Sequence, residues 1–172
     1  DVHIIDAVVW ALGKVPVAAL GASAAYRPSV HGDARDSSTV VYLFDDGTVW
    51  CHQGILGAYH DWLKAGRLTA SLQGTQAAAC LSYAGKSHVR GGPRHFSGGV
   101  PNPEASVRTN IDEFRQAIED GDCANRLVAR AVDSNLAAIL GREAAARRRL
   151  VTLDELVREG RRLEPNLAGL KA

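Results

Sequence analysis

Methionine is missing from the chain altogether, position 1 included. Translation starts with methionine, and the first residues already follow an apolar helical pattern without a lead-in. The expectation is therefore a piece of a longer protein whose amino-terminal part lies upstream. Net charge is almost absent: 20 Lys and Arg against 19 Asp and Glu leave +1, too little for a whole-molecule field that would draw nucleic acid or an anionic membrane surface. No apolar run approaches the ~20 residues a membrane span needs, and Asp1 and His3 stand where a signal peptide would carry Lys or Arg. Cysteine is scarce and odd in number. Cys51, Cys80 and Cys123 are too widely spaced for a C-x-x-C metal site and form no disulfide framework, so reduced, buried thiols are expected. Reduced thiols favour the cytoplasm, although an export signal upstream of the segment would be invisible here.

What is present is ordinary for a water-facing domain: 46% hydrophobic and 23% charged residues over 172 positions, enough to bury a real core as a single domain, 1–172. The stretch DVHIIDAVVWALGK predicts a helix over 2–12 that stops at Gly13, with Pro16 preventing its resumption. The period then changes. VPVAALGASAAY reads as a strand, and STVVYLFDDGTVWCHQGIL as two strands joined by a tight turn at Asp46-Gly47. RLTASLQGTQAAACLSYAGKSHVRGG supplies three more short extended runs, broken at Gly74-Thr75 and Ala84-Gly85. AYHDWLKAG, ahead of these three, fits a loop or a short helix, and RGGPRHFSGGVPNPEAS, dense in Gly and Pro, a long irregular loop.

Helical signals return after it. Asn110 with Glu113 suggests a capping box ahead of IDEFRQAIEDG, ending at Gly121; a longer helix is expected from about 123 to 149 with Leu127, Val128, Leu136, Ile139 and Leu140 on one stripe. Thr152 with Glu155 forms a second capping box that starts VTLDELVREGRRL. A helix, about six strands and three helices predict an α+β class, an open and mostly antiparallel sheet with helices packed on one face.

Chemistry-bearing residues are few. Gly85-Lys86-Ser87 imitates the end of a phosphate-binding loop, but Cys80 stands where the leading glycine belongs and SHVRGGP cannot open the helix that loop requires. The histidines show no ligand spacing: His52 and His60 flank a turn and His31 lies near Asp33, so no metal site is expected. Arg147, Arg148 and Arg149 read as a solvated helix end, stabilised there by the helix dipole. Arg90, Arg94 and His95 sit in the glycine-rich loop, where their donors suit hydroxyls and carboxylates of a small polar ligand; a solvated loop explains them equally well.

His3 and Asp6 share one face of the first helix, one turn apart, while Ile4, Ile5, Val8, Val9 and Leu12 cover much of the rest. Such a pair either ties the helix to a neighbour or does chemistry. A neutral imidazole is a natural acceptor for the proton of an alcohol being oxidised.

HIIDAVVWALGKVPV resembles the "H-x-x-D … W-x-x-G … P-V" stretch that begins the carboxyl-terminal half of the glucose-fructose oxidoreductase, inositol dehydrogenase and MocA family. DSSTVVYLFDDGTV resembles that family's strand pair, LQGTQAAACLSYAGKSHVRGG its "G-T-x-G" segment and following strand, and NIDEFRQAIEDG, SNLAAILGREAAARRRLVTLDEL and NLAGLK its last helices. The likeness runs in order over almost the whole chain.

It implies an NAD(P)-dependent oxidoreductase acting on a sugar or polyol, with a Rossmann domain ahead of this segment that binds the NAD or NADP. The segment itself is then the substrate-side and oligomerisation domain, whose open sheet packs against another subunit. The family's catalytic histidine falls on His3, with Asp6 orienting the helix or the imidazole. Its lysine, from a Glu-Lys-Pro stretch, belongs to the Rossmann half, and a carboxylate commonly four residues before the histidine would precede Asp1. Arg90, His95 and Gln53 are the candidate substrate contacts. Two other readings remain open: a stand-alone binding or dimerisation module of the same fold, and a small hydrolase or isomerase using His3 and Asp6 with a metal.

Overall fold

The computed structural model describes residues 2–25, 35–55, 68–83, 85–92, 95–99, 103–122, 124–125 and 127–162. AYHDWLKAG lies outside them, as do His31, Asp33, His60, Arg94 and Cys123.

Helix α1 spans Val2–Leu12, as its apolar spacing predicts, and closes where Gly13 donates its N–H to the Val9 carbonyl at 2.9 Å. It buries Ile4, Ile5, Val8 and Val9, each side chain contributing about 1.5–3 kcal/mol when removed from water. Strands β1 (Ala18–Ala24), β2 (Ser37–Leu43) and β3 (Val49–Ile55) follow. The β2–β3 turn is one residue longer than expected: Phe44 pairs with Thr48 (3.0 Å), leaving Asp45, Asp46 and Gly47 as the loop. Gly47 has φ +84°, the left-handed residue that closes a three-residue hairpin. Asp46 accepts from the Thr48 N–H at 3.0 Å and pairs with Lys14, which also donates to the Thr48 hydroxyl.

Strands β4 (Thr69–Gln73), β5 (Ala78–Ser82) and β6 (Lys86–Arg90) match the three expected extended runs. The glycine-rich stretch after them is not wholly a loop. Phe96–Gly99 forms β7, with Val89 opposite Phe96 and Lys86 opposite Gly99; a strand of Phe, Ser and two glycines has no alternating pattern to read, and its ladder is supplied by β6.

The carboxyl-terminal helices depart further from expectation. α2 runs Pro103–Glu119, so Asn110 is a mid-helix residue rather than a cap. Pro103 stands at the first helical position, where its missing N–H costs nothing, and no breaker separates it from Asn110. α3 spans Leu127–Arg147, but its buried face is not the large-residue stripe: Leu127 and Val128 are each 59% exposed, whereas Leu140 is fully buried. Ser134, Ala137, Gly141, Glu143, Ala144 and Ala145 form the rest of that face. Small residues let the helix axis approach the sheet closely, a reason no hydropathy pattern expresses.

A two-residue strand, β8 (Val151–Thr152), returns to pair with β1. Then α4 (Leu153–Glu159) starts at the Thr152 cap, whose hydroxyl accepts the Glu155 N–H at 3.1 Å.

The strands form two antiparallel sheets, ordered β3-β2-β1-β8 and β4-β5-β6-β7. With four helices among the described residues, this is the α+β class that the sequence predicts. α3 lies across β1 and β2, α1 lies against α3, and α1 also touches β4 and β5, so α1 joins the two sheets around one core. The opposite face of the first sheet is open and apolar, with Leu20, Val49 and Ile55 about half exposed. Cys51 is exposed there too, not buried as expected: it alternates with Trp50 and His52, whose side chains take the helix face. Along α2, Val107, Ile111, Phe114 and Ile118 are all more than half exposed at the spacing of one helical face. No helix among the described residues is long and apolar enough to cross a membrane.

Candidate functional site

His3 lies in the first turn of α1, exposed, while Ile4 and Ile5, which follow it in the helix, turn into the core. Its imidazole stacks on the ring of Tyr83, centroids 4.5 Å apart and planes 20° from parallel. Tyr83 follows the last residue of β5, and its N–H donates to the Leu68 carbonyl at 2.9 Å.

Asp6, one turn on, is engaged from the opposite side. The Ser134 hydroxyl donates to it at 2.6 Å and the Arg130 guanidinium approaches to 3.8 Å. Arg130 in turn lies over the Trp10 ring, 5.4 Å from its centroid. The pair that shares a helical face in the sequence is thereby divided: Asp6 ties α1 to α3, and His3 faces Tyr83 on the second sheet. Replacing Ser134, itself buried, with Ala leaves the carboxylate without its shortest partner. A hydrogen bond to a charged group contributes about 1.5–3 kcal/mol, less here because the Asp6 side chain is 42% exposed. The expected result is a loss of about 1 kcal/mol in denaturant unfolding, and an unchanged midpoint would mean that this hydrogen bond does not hold α1 to α3.

The remaining candidates lie elsewhere. Arg90 ends β6 opposite Ala78, the first residue of β5, and is separated from Tyr83 by five residues of strand, about 16 Å at 3.3 Å per residue. The β6–β7 register carried one step beyond Val89 and Phe96 sets Arg90 across from His95. Those two are neighbours at the far end of the hairpin from His3, and both are exposed. Gln53, opposite Thr39, alternates with His52 and Trp50 and so projects from the open face of the first sheet, away from α1.

The arginine run is not a merely solvated helix end. Arg147 donates to Glu143 at 3.1 Å and Glu159 at 2.6 Å and lies 3.4 Å from Glu155, while Arg149 pairs with Glu155 at 2.5 Å. The Arg149 hydrogen bond is the main reason the Glu155 carboxyl is held down to about 2. These pairs lock α4 onto the end of α3. His52 is half-buried, and burial pushes its imidazole below the usual range.

No group of three or more His, Cys, Asp or Glu side chains among the described residues is placed to hold a metal ion. Nor does any βαβ unit occur there, since every pairing in both sheets is antiparallel. The glycine turn between a parallel strand and a helix, which cradles a dinucleotide pyrophosphate, therefore has no counterpart in these residues. What they offer a reaction is the exposed imidazole of His3, stacked on Tyr83. The sequence singles out His3 and Asp6, and Trp10 only as part of the W-x-x-G stretch. It gives no warning of Tyr83, Ser134 and Arg130, whose only signals are a lone aromatic after a strand and polar residues on a mixed helix.

No family model matches the sequence, and no curated protein matches it. Solved structures do match. A levoglucosan dehydrogenase in complex with NADH and L-sorbose aligns with a TM-score of 0.69 and 15% identity over 91% of this chain and 50% of its own. An oxidoreductase from Agrobacterium radiobacter, in complex with NAD+, L-tartaric acid and magnesium, gives 0.63 and 15% over 90% and 48%. An aldose-aldose oxidoreductase from Caulobacter crescentus, complexed with glycerol, gives 0.63 and 16% over 88% and 45%. The chain thus spans about half the length of the structures it matches. At these identities the likeness is one of fold.

Proposed function

We propose that this chain, having the fold of the carboxyl-terminal domain of glucose-fructose oxidoreductase, inositol dehydrogenase and MocA-type enzymes, is the substrate-side and oligomerisation domain of an NAD(P)-dependent oxidoreductase. The reaction is oxidation of a hydroxyl on a sugar or polyol. The observation that carries the reading is the half-length match to structures of complexes with NADH or NAD+ and a sugar or a hydroxy acid, together with an exposed histidine held at the start of α1. A nucleotide-binding domain preceding Asp1 supplies the dinucleotide site that the antiparallel sheets do not offer.

A bound nicotinamide would supply the hydride acceptor for the carbinol carbon. His3 takes the hydroxyl proton on its imidazole, the type of side chain most often used as a general base. Asp6, held by Ser134 and Arg130, keeps the first turn of α1 fixed so that the imidazole approaches from one direction. Arg90 and His95, at the end of the hairpin away from His3, and Gln53, on the open sheet face, are read as substrate contacts made only in an assembled oligomer. Two apolar faces support the assembly. Leu20, Val49 and Ile55 suit a second copy of the sheet, and the α2 stripe suits the preceding domain.

The test is the protein expressed from its native start codon, titrated with NADH and NADPH by fluorescence quenching and assayed on a panel of sugars and polyols. Saturable quenching with substrate-dependent reduction of the dinucleotide bears the reading out. A product of about this length that quenches neither leaves a non-enzymatic binding or dimerisation module.

A further inference from the structure

We infer that Tyr83 is a positioning residue for His3: its ring sets the plane and direction of the imidazole that takes the substrate proton. This rests on the function proposed above and adds to it a residue supplied by the second sheet.

The argument starts from the freedom of His3. An exposed histidine in the first turn of a helix has two side-chain torsions that water does little to restrict, and a proton acceptor misplaced by about an ångström loses up to roughly a hundredfold in rate. Asp6 does not restrict it, because that carboxylate is turned to Ser134 and Arg130. The contact His3 makes is with Tyr83, face to face at 4.5 Å and 20°.

A near-parallel stack blocks one face of the imidazole and leaves both ring nitrogens at the edge, open to a hydroxyl. A positive charge arriving on the imidazole also meets the π face of the tyrosine, which stabilises a cation. Tyr83 is itself held: its N–H is bonded to Leu68, and β4 and β5, which flank it, touch α1. It is half exposed, so it stands at the surface a substrate reaches rather than in the core.

Two measurements test this. In the 172-residue chain, proton spectra of the imidazoles, with His3 assigned by its disappearance in His3→Gln, report the stack through the ring current of Tyr83. The wild type should show contacts between the His3 and Tyr83 ring protons and an upfield His3 signal. That signal should move downfield in Tyr83→Ala and stay in Tyr83→Phe. Absence of the wild-type ring contact overturns the inference whether or not the Ala variant folds, and so does a His3 signal unmoved in a folded Tyr83→Ala.

In the longer protein, Tyr83→Ala should lower kcat roughly tenfold to a hundredfold with KM little changed, and Tyr83→Phe should restore it. An unchanged kcat, or a Phe variant as slow as the Ala variant, overturns the positioning role. If the wild type oxidises no sugar or polyol, the function proposed above fails and takes this role with it. That failure is recognisable because the ring contact in the spectra persists.

Discussion

Replacing His3 with Ala in the longer protein should cut turnover of its sugar or polyol by about 10²–10⁴-fold, the range that a positioned acid-base group contributes, while quenching by NADH keeps its midpoint. The side chain is suited to such a test because little else depends on it. It is exposed and its contact is the ring of Tyr83, so its removal should leave thermal stability within about 0.5 kcal/mol of the wild type, as surface substitutions do. A loss of turnover then reads as chemistry and not as unfolding. Turnover equal to wild type would remove His3 from the reaction and leave the α1 rim a structural feature. A fall in turnover matched by a fall in melting temperature would place the residue in the fold instead.

The largest effect on stability is expected at Gly141. A Cβ at this position would lie 2.0 Å from the Tyr42 hydroxyl oxygen and 2.7 Å from Cζ of the same ring, and neither group has room to retreat. Tyr42 is 1% exposed and stacked on Trp50 at 5.0 Å, and the burial that raises its phenol well above the usual range keeps it neutral. Overpacking a tight core costs about 1–3 kcal/mol and occasionally more; with backbone on one side and a buried ring on the other, Gly141→Ala belongs at about 3 kcal/mol. For a chain of this length that is a fall of about 6–12 °C in melting temperature. Tyr42→Phe in the Gly141→Ala background removes the nearest atom and should recover part of the loss, since Cζ remains in the way. The coupling between the two substitutions, read from the four melting curves, checks the contact directly. Additive losses would mean that α3 shifts away from the sheet instead of clashing with it.

Local order was legible where local chemistry decides it. α1 follows from its apolar spacing and Gly13, the β2–β3 hairpin from Asp46-Gly47, and α4 from Thr152 and Glu155. Where the partner decides, the sequence was silent or misleading. β7 has no pattern of its own and exists because β6 offers a ladder; β8 is two residues long and pairs only because α3 returns the chain to β1. Asn110 carries a capping pattern that is idle inside a helix already begun at Pro103.

The candidate site divides in the same way. His3 and Asp6 stand out as two polar residues on an otherwise apolar helix, and that much is periodicity. Their separation into a helix anchor and an exposed imidazole depends on Ser134, 128 residues further on, and on Tyr83 from another sheet. Arg90 and His95 share a loop in the sequence, and the β6–β7 register makes them neighbours, but at the end of the hairpin away from His3.

The sequence by itself determined the α+β class, the order of most elements and the helix on which His3 rides, because these rest on interactions spanning a few residues: alternation, helical spacing, caps and turns. Only the tertiary structure decided which face of α3 is buried, which strands join which sheet and what His3 and Asp6 each touch. Those outcomes turn on close approach between distant segments, where a glycine beside a tyrosine or a serine beneath an aspartate counts for more than the hydrophobicity of either stretch.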